Sequence, residues 1–181
     1  MFISPSEESK PKLKLDKKFQ PCPVEGGEEV YRNGIFHFNI TRLLAFLDAH
    51  PARFPIEFIA LSEIPNYGDS NLDVDTVRSA DLSRPILLAE ISPGRFNVID
   101  GNHRVAKARH GAPTVPARRI HCSDHLQFLT SFTAYEKYVE YWNGKVREMR
   151  AGFGNSDTGI SGFRARHLRD RRSEIHEEAK T

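Results

Sequence analysis

The fold is decided by residues 86–105, which run ILLAEISPGRFNVIDGNHRV. The apolar run at 86–90 and the mixed run at 95–99 have the composition of strands, with a turn at Ser92-Pro93-Gly94 between them. Two such runs joined by a short turn predict a β-hairpin over 86–99. Directly after it, Asn102 is a residue type that caps helices, and the sequence predicts a helix over 103–110.

Signals of the same kind predict the elements on either side. They are a helix after Asn39 or Thr41 that ends at His50, a strand over 56–64, a short helix after Asn71 or Asp73, a strand over 115–120 and a helix that starts at a Thr133–Glu136 capping box. Gly111 is expected to end the helix over 103–110 in the left-handed conformation, and Pro116 is expected at a sheet edge or strand start. Strands and helices mix without strict alternation, which favours an α+β fold.

The overall composition excludes several classes of protein. A chain of 181 residues predicts one domain with extensions, and the 39% of hydrophobic residues is below the average of about 45–50%, so part of the chain is expected outside the core. The 26 basic and 24 acidic residues nearly balance, so any phosphate site must be local. Because the sequence has two distant cysteines and no long apolar run, we expect a cytoplasmic protein without membrane insertion.

Changes in composition along the chain predict three regions. Residues 1–29 are rich in proline, lysine and acids, and we expect a flexible N-terminal arm because little apolar surface offsets the cost of ordering it. Residues 30–150 carry the strand and helix signals and form the predicted domain. Residues 151–181 begin with a glycine-rich linker and continue as a basic C-terminal tail.

The corner at residues 100–104 carries the candidate chemistry. The first amides of a helix have no internal partners and attract anions, so a phosphate group is expected there. Gly101 and Asn102 let a ligand approach the backbone, His103 is able to move a proton, and Arg104 offers a bidentate grip on phosphate oxygens. The alternative is a plain turn, followed by a cap and solvated side chains.

Acidic residues beside this corner suggest a metal. Asp100 is placed to hold Mg²⁺ on the phosphates of a nucleotide, with Glu90 on the neighbouring strand as a second acid. An aspartate that only forms the turn is the alternative. With a metal in place, Asp100, His103 and Arg104 form the predicted catalytic set for hydrolysis of ATP or another NTP, because in-line attack on phosphorus needs mainly positioning and charge neutralisation.

Three other patterns have a functional and a structural interpretation. The basic tail predicts DNA binding through phosphates, with a solvated helix as the alternative, at Arg164, Arg166, Arg169, Arg171 and Arg172. The aromatic residues from Tyr135 to Trp142 repeat at helical spacing, which favours a core-facing or partner-facing side over stacking on nucleobases. His121, Cys122 and His125 are too few for a closed zinc site, which favours coincidence.

Taken in order, residues 56–121 resemble the ParB/sulfiredoxin-like superfamily. The resemblance is carried by the strand at 59–62, the strand at 85–88, the element Val98-Ile99-Asp100-Gly101-Asn102-His103-Arg104-Val105-Ala106, and Thr114-Val115-Pro116-Ala117. It implies a small mixed sheet flanked by helices, with nucleotide phosphates at Gly101, Asn102, His103 and Arg104, and with Arg84 contacting the nucleotide. Members of this group are associated with NTP hydrolysis and DNA cleavage.

Two departures narrow what the resemblance implies. Asn102 stands where sulfiredoxins keep their nucleophilic cysteine, so sulfiredoxin activity is not expected. Only about 60 residues follow His121, so the helix-turn-helix of ParB partition proteins is not expected either. By size and layout the chain is similar to small plasmid fertility-inhibition and oncogenic-suppression proteins, which implies a partner in a conjugation or partition apparatus. A non-catalytic module that binds nucleotide or DNA, and a purely structural interaction protein, remain as alternatives.

Overall fold

The computed structural model describes residues 10–65 and 72–151. The chain divides into two units, Met1–Val146 and Arg147–Thr181, and of the second unit only residues 147–151 are described. The strands are β1 (Val30–Asn33), β2 (Phe36–Asn39), β3 (Glu57–Ala60), β4 (Ile86–Ser92), β5 (Arg95–Asp100) and β6 (Thr114–Ile120). The helices are α1 (Ile40–Ala49), α2 (Val74–Ser79), α3 (Asn102–Ala108), α4 (Cys122–His125) and α5 (Phe132–Arg150). The fold is therefore of the mixed α+β class.

Four of the strands form one small mixed sheet in the order β3-β6-β4-β5. The predicted hairpin is confirmed, since β4 and β5 pair antiparallel with Leu87 opposite Asp100. β4 and β6 run parallel, with Ala89 opposite Ile120, and β3 pairs antiparallel with β6. β1 and β2 form a separate two-stranded hairpin that the sequence analysis did not predict.

Hydrophobic side chains cover both faces of this sheet. Successive residues of a strand point to opposite faces, and every residue of β4 is buried. Leu87 and Ala89 pack on one face in a core that includes α1 and α5, whereas Leu88 packs on the other face with Val105 of α3. The sheet is thus held between two layers of helices, and β4 lies at the centre of both cores.

Several element boundaries differ from the predicted ones. α1 is capped by the Asn39 side chain and α2 by that of Asp73, as expected. Helix α5 instead begins at Phe132, because the Ser131 hydroxyl accepts from the Ala134 amide and replaces the predicted capping box. Gly111 does not have the expected positive φ, since α3 already ends at Ala108.

Of the two positions expected for Pro116, a sheet edge or a strand start, the structure shows the second, because Pro116 lies near the start of the inner strand β6. It pairs with Phe58 of β3, on one side of β6. On the other side, the pairing with β4 starts one residue later, at Ala117 opposite Ile86. The missing amide proton is therefore tolerated because Pro116 precedes the parallel ladder.

Residues 10–29 are packed against the domain, which differs from the expected flexible arm. The Trp142 indole donates to the Pro11 carbonyl at 3.1 Å, and the Asn143 side chain bonds both the amide and the carbonyl of Leu13. The Phe19 ring stacks on Tyr135 with centroids 4.0 Å apart. Side chains of α5 thus form hydrogen bonds with backbone groups of this segment. The low apolar content of the segment gives no indication of these bonds.

Candidate functional site: a corner and an arginine-lined cavity

The predicted corner is present where β5 passes into α3. Gly101 has a φ of 96° and no side chain to cap the first turn, and the first helical bond runs from the Val105 amide to the Gly101 carbonyl at 3.0 Å. Asn102 is therefore the first helical residue and is exposed, rather than the capping residue. Half-buried His103 lies close enough to Asp73 to help lower the pKa of that carboxyl, after the larger effects of hydrogen bonds from Thr76.

Arg104 turns back onto the protein instead of projecting from the helix. One Nη atom donates to the Asp100 carboxylate at 2.7 Å and to the Pro85 carbonyl at 3.3 Å. A Cβ on Gly101 would lie 2.7 Å from Ile86 and under 3 Å from the Arg104 guanidinium. The glycine is thus required by the packing of Ile86 and Arg104, apart from any approach of a ligand.

A shallow cavity of about 170 Å³ opens beside this corner. Its polar lining contains Arg84 and Asp100, two of the predicted site residues, together with Asp48 and Arg118. Its apolar lining comes from α1, from the segment before β3 and from the start of β4, at Leu44, Leu47, Ile56, Pro85, Ile86 and Leu87. The cavity therefore combines an apolar wall with charged groups of both signs.

The arginines around the cavity are only partly satisfied. Arg118 pairs with Asp48, and Arg104 pairs with Asp100, which lines the same cavity. Among the described residues, the Nε atoms of four arginines are buried and have no hydrogen-bond partner, those of Arg104, Arg109, Arg118 and Arg119. Arg109 and Arg119 do not line the cavity, so this feature is not specific to it. Arg118 has no signal in the sequence, because only strand pairing places it across Leu87 from Asp100.

Glu90 lies away from Asp100, and the two predicted metal ligands do not face each other. In the β4–β5 ladder Glu90 pairs with Phe96, whereas Asp100 pairs with Leu87. Glu90 accepts from the Gly94 amide and contacts His121 and Lys10. Burial raises the pKa of Glu90, but these contacts outweigh burial and leave it below the ordinary value. Within the described residues no cluster of three metal-ligating side chains is found.

Of the three other patterns in the sequence, the aromatic helix and the segment with His121, Cys122 and His125 lie within the described residues. Tyr135, Tyr138 and Trp142 are buried, which confirms the core-facing interpretation of the aromatic helix. Burial lowers the pKa of His125 to about 4 and raises that of Cys122 to about 12. The basic residues predicted to bind DNA lie outside the described residues, at Arg164, Arg166, Arg169, Arg171 and Arg172.

Comparisons with known proteins return no match: no family model, no curated protein and no solved structure is similar to this chain. None of the helices in the described part of the chain is both long and apolar enough to span a membrane.

Proposed function

We propose that this chain is a nucleotide-binding module whose site is the cavity lined by Arg84, Asp100 and Arg118. The observation that carries the proposal is the cavity at the start of β4, which is lined by Arg84 and Arg118 and whose Asp100 is bound by a third arginine, Arg104. One guanidinium group binds two phosphate oxygens at once through two parallel hydrogen bonds. Arginine therefore suits phosphate recognition better than lysine does.

The walls of the cavity favour a nucleotide over a bare phosphate ion. Leu44, Leu47 and Ile56 form an apolar surface that matches the flat, weakly polar face of a base. The volume is sufficient for a base-sized group, and the phosphates then lie at the open, charged rim. The resemblance to ParB/sulfiredoxin-like proteins supports a phosphate-binding role for the adjacent corner.

Binding requires an exchange of partners within the site. The carboxylates of Asp48 and Asp100 now occupy the guanidinium groups that a phosphate would bind. An incoming phosphate replaces them as acceptor, and Mg²⁺ near Asp100 would neutralise the carboxylate that is released. The geometry thus supports binding more directly than hydrolysis, since Asp100 is paired with Arg104 and Glu90 lies elsewhere.

Replacement of Arg84 by alanine tests the binding site. Arg84 is exposed, so its loss should leave the fold intact and weaken ATP or CTP binding about tenfold, the effect of losing one charge-assisted contact. Calorimetric titration of each nucleotide, with and without Mg²⁺, measures the change. Arg78→Ala is the matched control, because Arg78 is an exposed arginine on α2 that does not line the cavity.

Equal affinity of the Arg84→Ala protein and the parent protein would refute this location of the site. Arg104→Ala is less informative, because the same side chain holds Asp100 and the Pro85 carbonyl. Phosphate release from NTPs and nicking of plasmid DNA, each followed with Mg²⁺, extend the test to NTP hydrolysis and metal-dependent DNA cleavage. These activities remain part of the proposal, as do the ParB/sulfiredoxin-like fold and a role in blocking plasmid transfer.

DNA binding by the basic tail is tested by removing residues 163–181. The segment holds the five arginines named above. Its removal should make the slope of log affinity against log salt concentration shallower, because several phosphate contacts are lost. Titrations of one labelled duplex at a series of salt concentrations give both slopes. Identical slopes for the full chain and the shortened chain would show that the tail does not contact DNA phosphates.

A further inference from the structure

A second polar site lies at the end of β4 that is remote from Asp100. Here the His121 ring is held with Nδ1 2.9 Å from a carboxylate oxygen of Glu90. The Glu90 side chain is 2% exposed, whereas that of His121 is 55% exposed. Among the described residues, none forms a hydrogen bond with Nε2 of His121. The pair thus places an imidazole between a buried acid and the solvent.

The buried carboxylate selects one tautomer of the ring. An ionised carboxylate only accepts hydrogen bonds, so the ring proton sits on Nδ1 and the lone pair on Nε2. Phe96 packs against the His121 ring with centroids 5.4 Å apart, which restrains its orientation. The same carboxylate stabilises positive charge that develops on the ring during attack by Nε2, which makes Nε2 a stronger nucleophile.

Cationic groups lie close to this imidazole. Lys10 Nζ is 3.2 Å from the other carboxylate oxygen of Glu90. The Arg119 guanidinium stacks over the same Phe96 ring that contacts His121, 5.1 Å from its centroid, although it also pairs with Glu57 and Glu63. Both cations lie around the Glu90–His121–Phe96 cluster, Lys10 on Glu90 and Arg119 on Phe96.

We propose that Nε2 of His121 is a phosphoryl-acceptor site that takes a phosphoryl group from small phosphoramidates or acyl phosphates. With the phosphoramidate monoanion, whose nitrogen already carries three hydrogens, the Nε2 lone pair forms the new N–P bond while the P–N bond of the donor breaks. Ammonia leaves with that electron pair, and the Nδ1 proton stays in its hydrogen bond to Glu90. Glu90 acts as a positioning residue, because it touches the ring and not the donor.

The chain contains a matched comparison for this site. His50 is also exposed, its Nδ1 is 2.8 Å from the backbone carbonyl of Phe46, and its ring contacts an aromatic ring, that of Phe46. A carbonyl selects the same tautomer as a carboxylate but carries no full charge. The difference between His121 and His50 in one reaction therefore measures the effect of the Glu90 charge.

The test is treatment of the full chain with potassium phosphoramidate at pH 8. Phosphorus NMR distinguishes attachment at Nε2 from attachment at Nδ1, and peptide mass spectrometry under non-acidic conditions locates the histidine. His121 should be phosphorylated at Nε2 about tenfold faster than His50, and His121→Asn should abolish only that fast phase.

Glu90→Gln separates positioning from folding. It should slow His121 to about the rate of His50 and leave the rate of His50 unchanged, which serves as the internal check on the fold. Nitrogen NMR of the rings reports the His121 tautomer in both proteins. Equal rates at His121 and His50 in the parent protein, attachment at Nδ1 of His121, or an unchanged fast rate in the Glu90→Gln protein would each overturn the proposal.

Discussion

Gly101→Ala should destabilise the domain by about 2–5 kcal/mol. Two costs combine, because the φ of 96° is unfavourable for an L residue by about 1–2 kcal/mol and overpacking adds about 1–3 kcal/mol. The added Cβ would lie 2.7 Å from the Ile86 side chain and 2.8 Å from an Arg104 Nη atom. Relief requires Arg104 to move, which also weakens its bond to Asp100. Urea unfolding followed by circular dichroism measures the loss.

Gly94→Ala is the control that separates these two costs. Gly94 has a φ of 71°, but a Cβ built there meets no atom within 4 Å. Its substitution should therefore cost only about 1–2 kcal/mol, the conformational part alone. If the two variants lose the same stability, the contacts of Gly101 with Ile86 and Arg104 do not restrict that position.

The free energy of unfolding should fall by about 2 kcal/mol between pH 7 and pH 5 because of His125. This ring is fully buried, and burial lowers its pKa to about 4 from an ordinary value of 6.5. Between these values the unfolded chain binds a proton that the folded chain does not, so stability decreases as the pH falls from about 6.5 to 4. The nearby carboxylates of Glu90 and Asp124 oppose the shift but do not cancel it.

Urea unfolding at a series of pH values between 5 and 7 gives the slope, and His125→Gln removes the titrating group. The variant should be less stable at pH 7, since His125 Nε2 lies 2.9 Å from the Glu90 carbonyl, but its stability should vary less with pH. Titration of Glu90 does not change the stability between pH 5 and pH 7. Its pKa is lowered in the folded state, so the stability that it contributes is lost only below its ordinary pKa of 4.5. An unchanged slope in the variant would show that His125 binds its proton equally in the folded and unfolded states, which contradicts the prediction.

Elements with strong local signals were predicted well. The β4–β5 hairpin follows from apolar runs around a Pro-Gly turn, and the start of α1 follows from Asn39, whose side chain accepts from the Arg42 amide. The β1–β2 hairpin was missed although Gly34, whose positive φ suits a two-residue turn, stands first between its strands. These features depend on residues a few positions apart, so the signals for them can be recognised in the amino-acid sequence alone.

The partners of charged side chains were not predictable in the same way. The sequence placed Glu90 with Asp100 as metal ligands, but strand register puts them opposite different residues. The sequence also predicted that Arg104 binds a ligand. In the structure its guanidinium donates to the Pro85 carbonyl, just before β4, and to the Asp100 carboxylate, at the end of β5. Arg118 reaches the same cavity only because β6 runs parallel beside β4.

By itself the sequence determined the α+β class, the hairpin, the glycine corner and most helix starts. Each of these depends on backbone preference, capping or periodicity within one or two turns of chain. Tertiary structure decided that residues 10–29 pack on α5, that Arg84 and Arg118 line one cavity, and that His121 meets a buried acid. These contacts join residues far apart in sequence, because side-chain charges pair according to the register and order of strands, which local propensity does not specify.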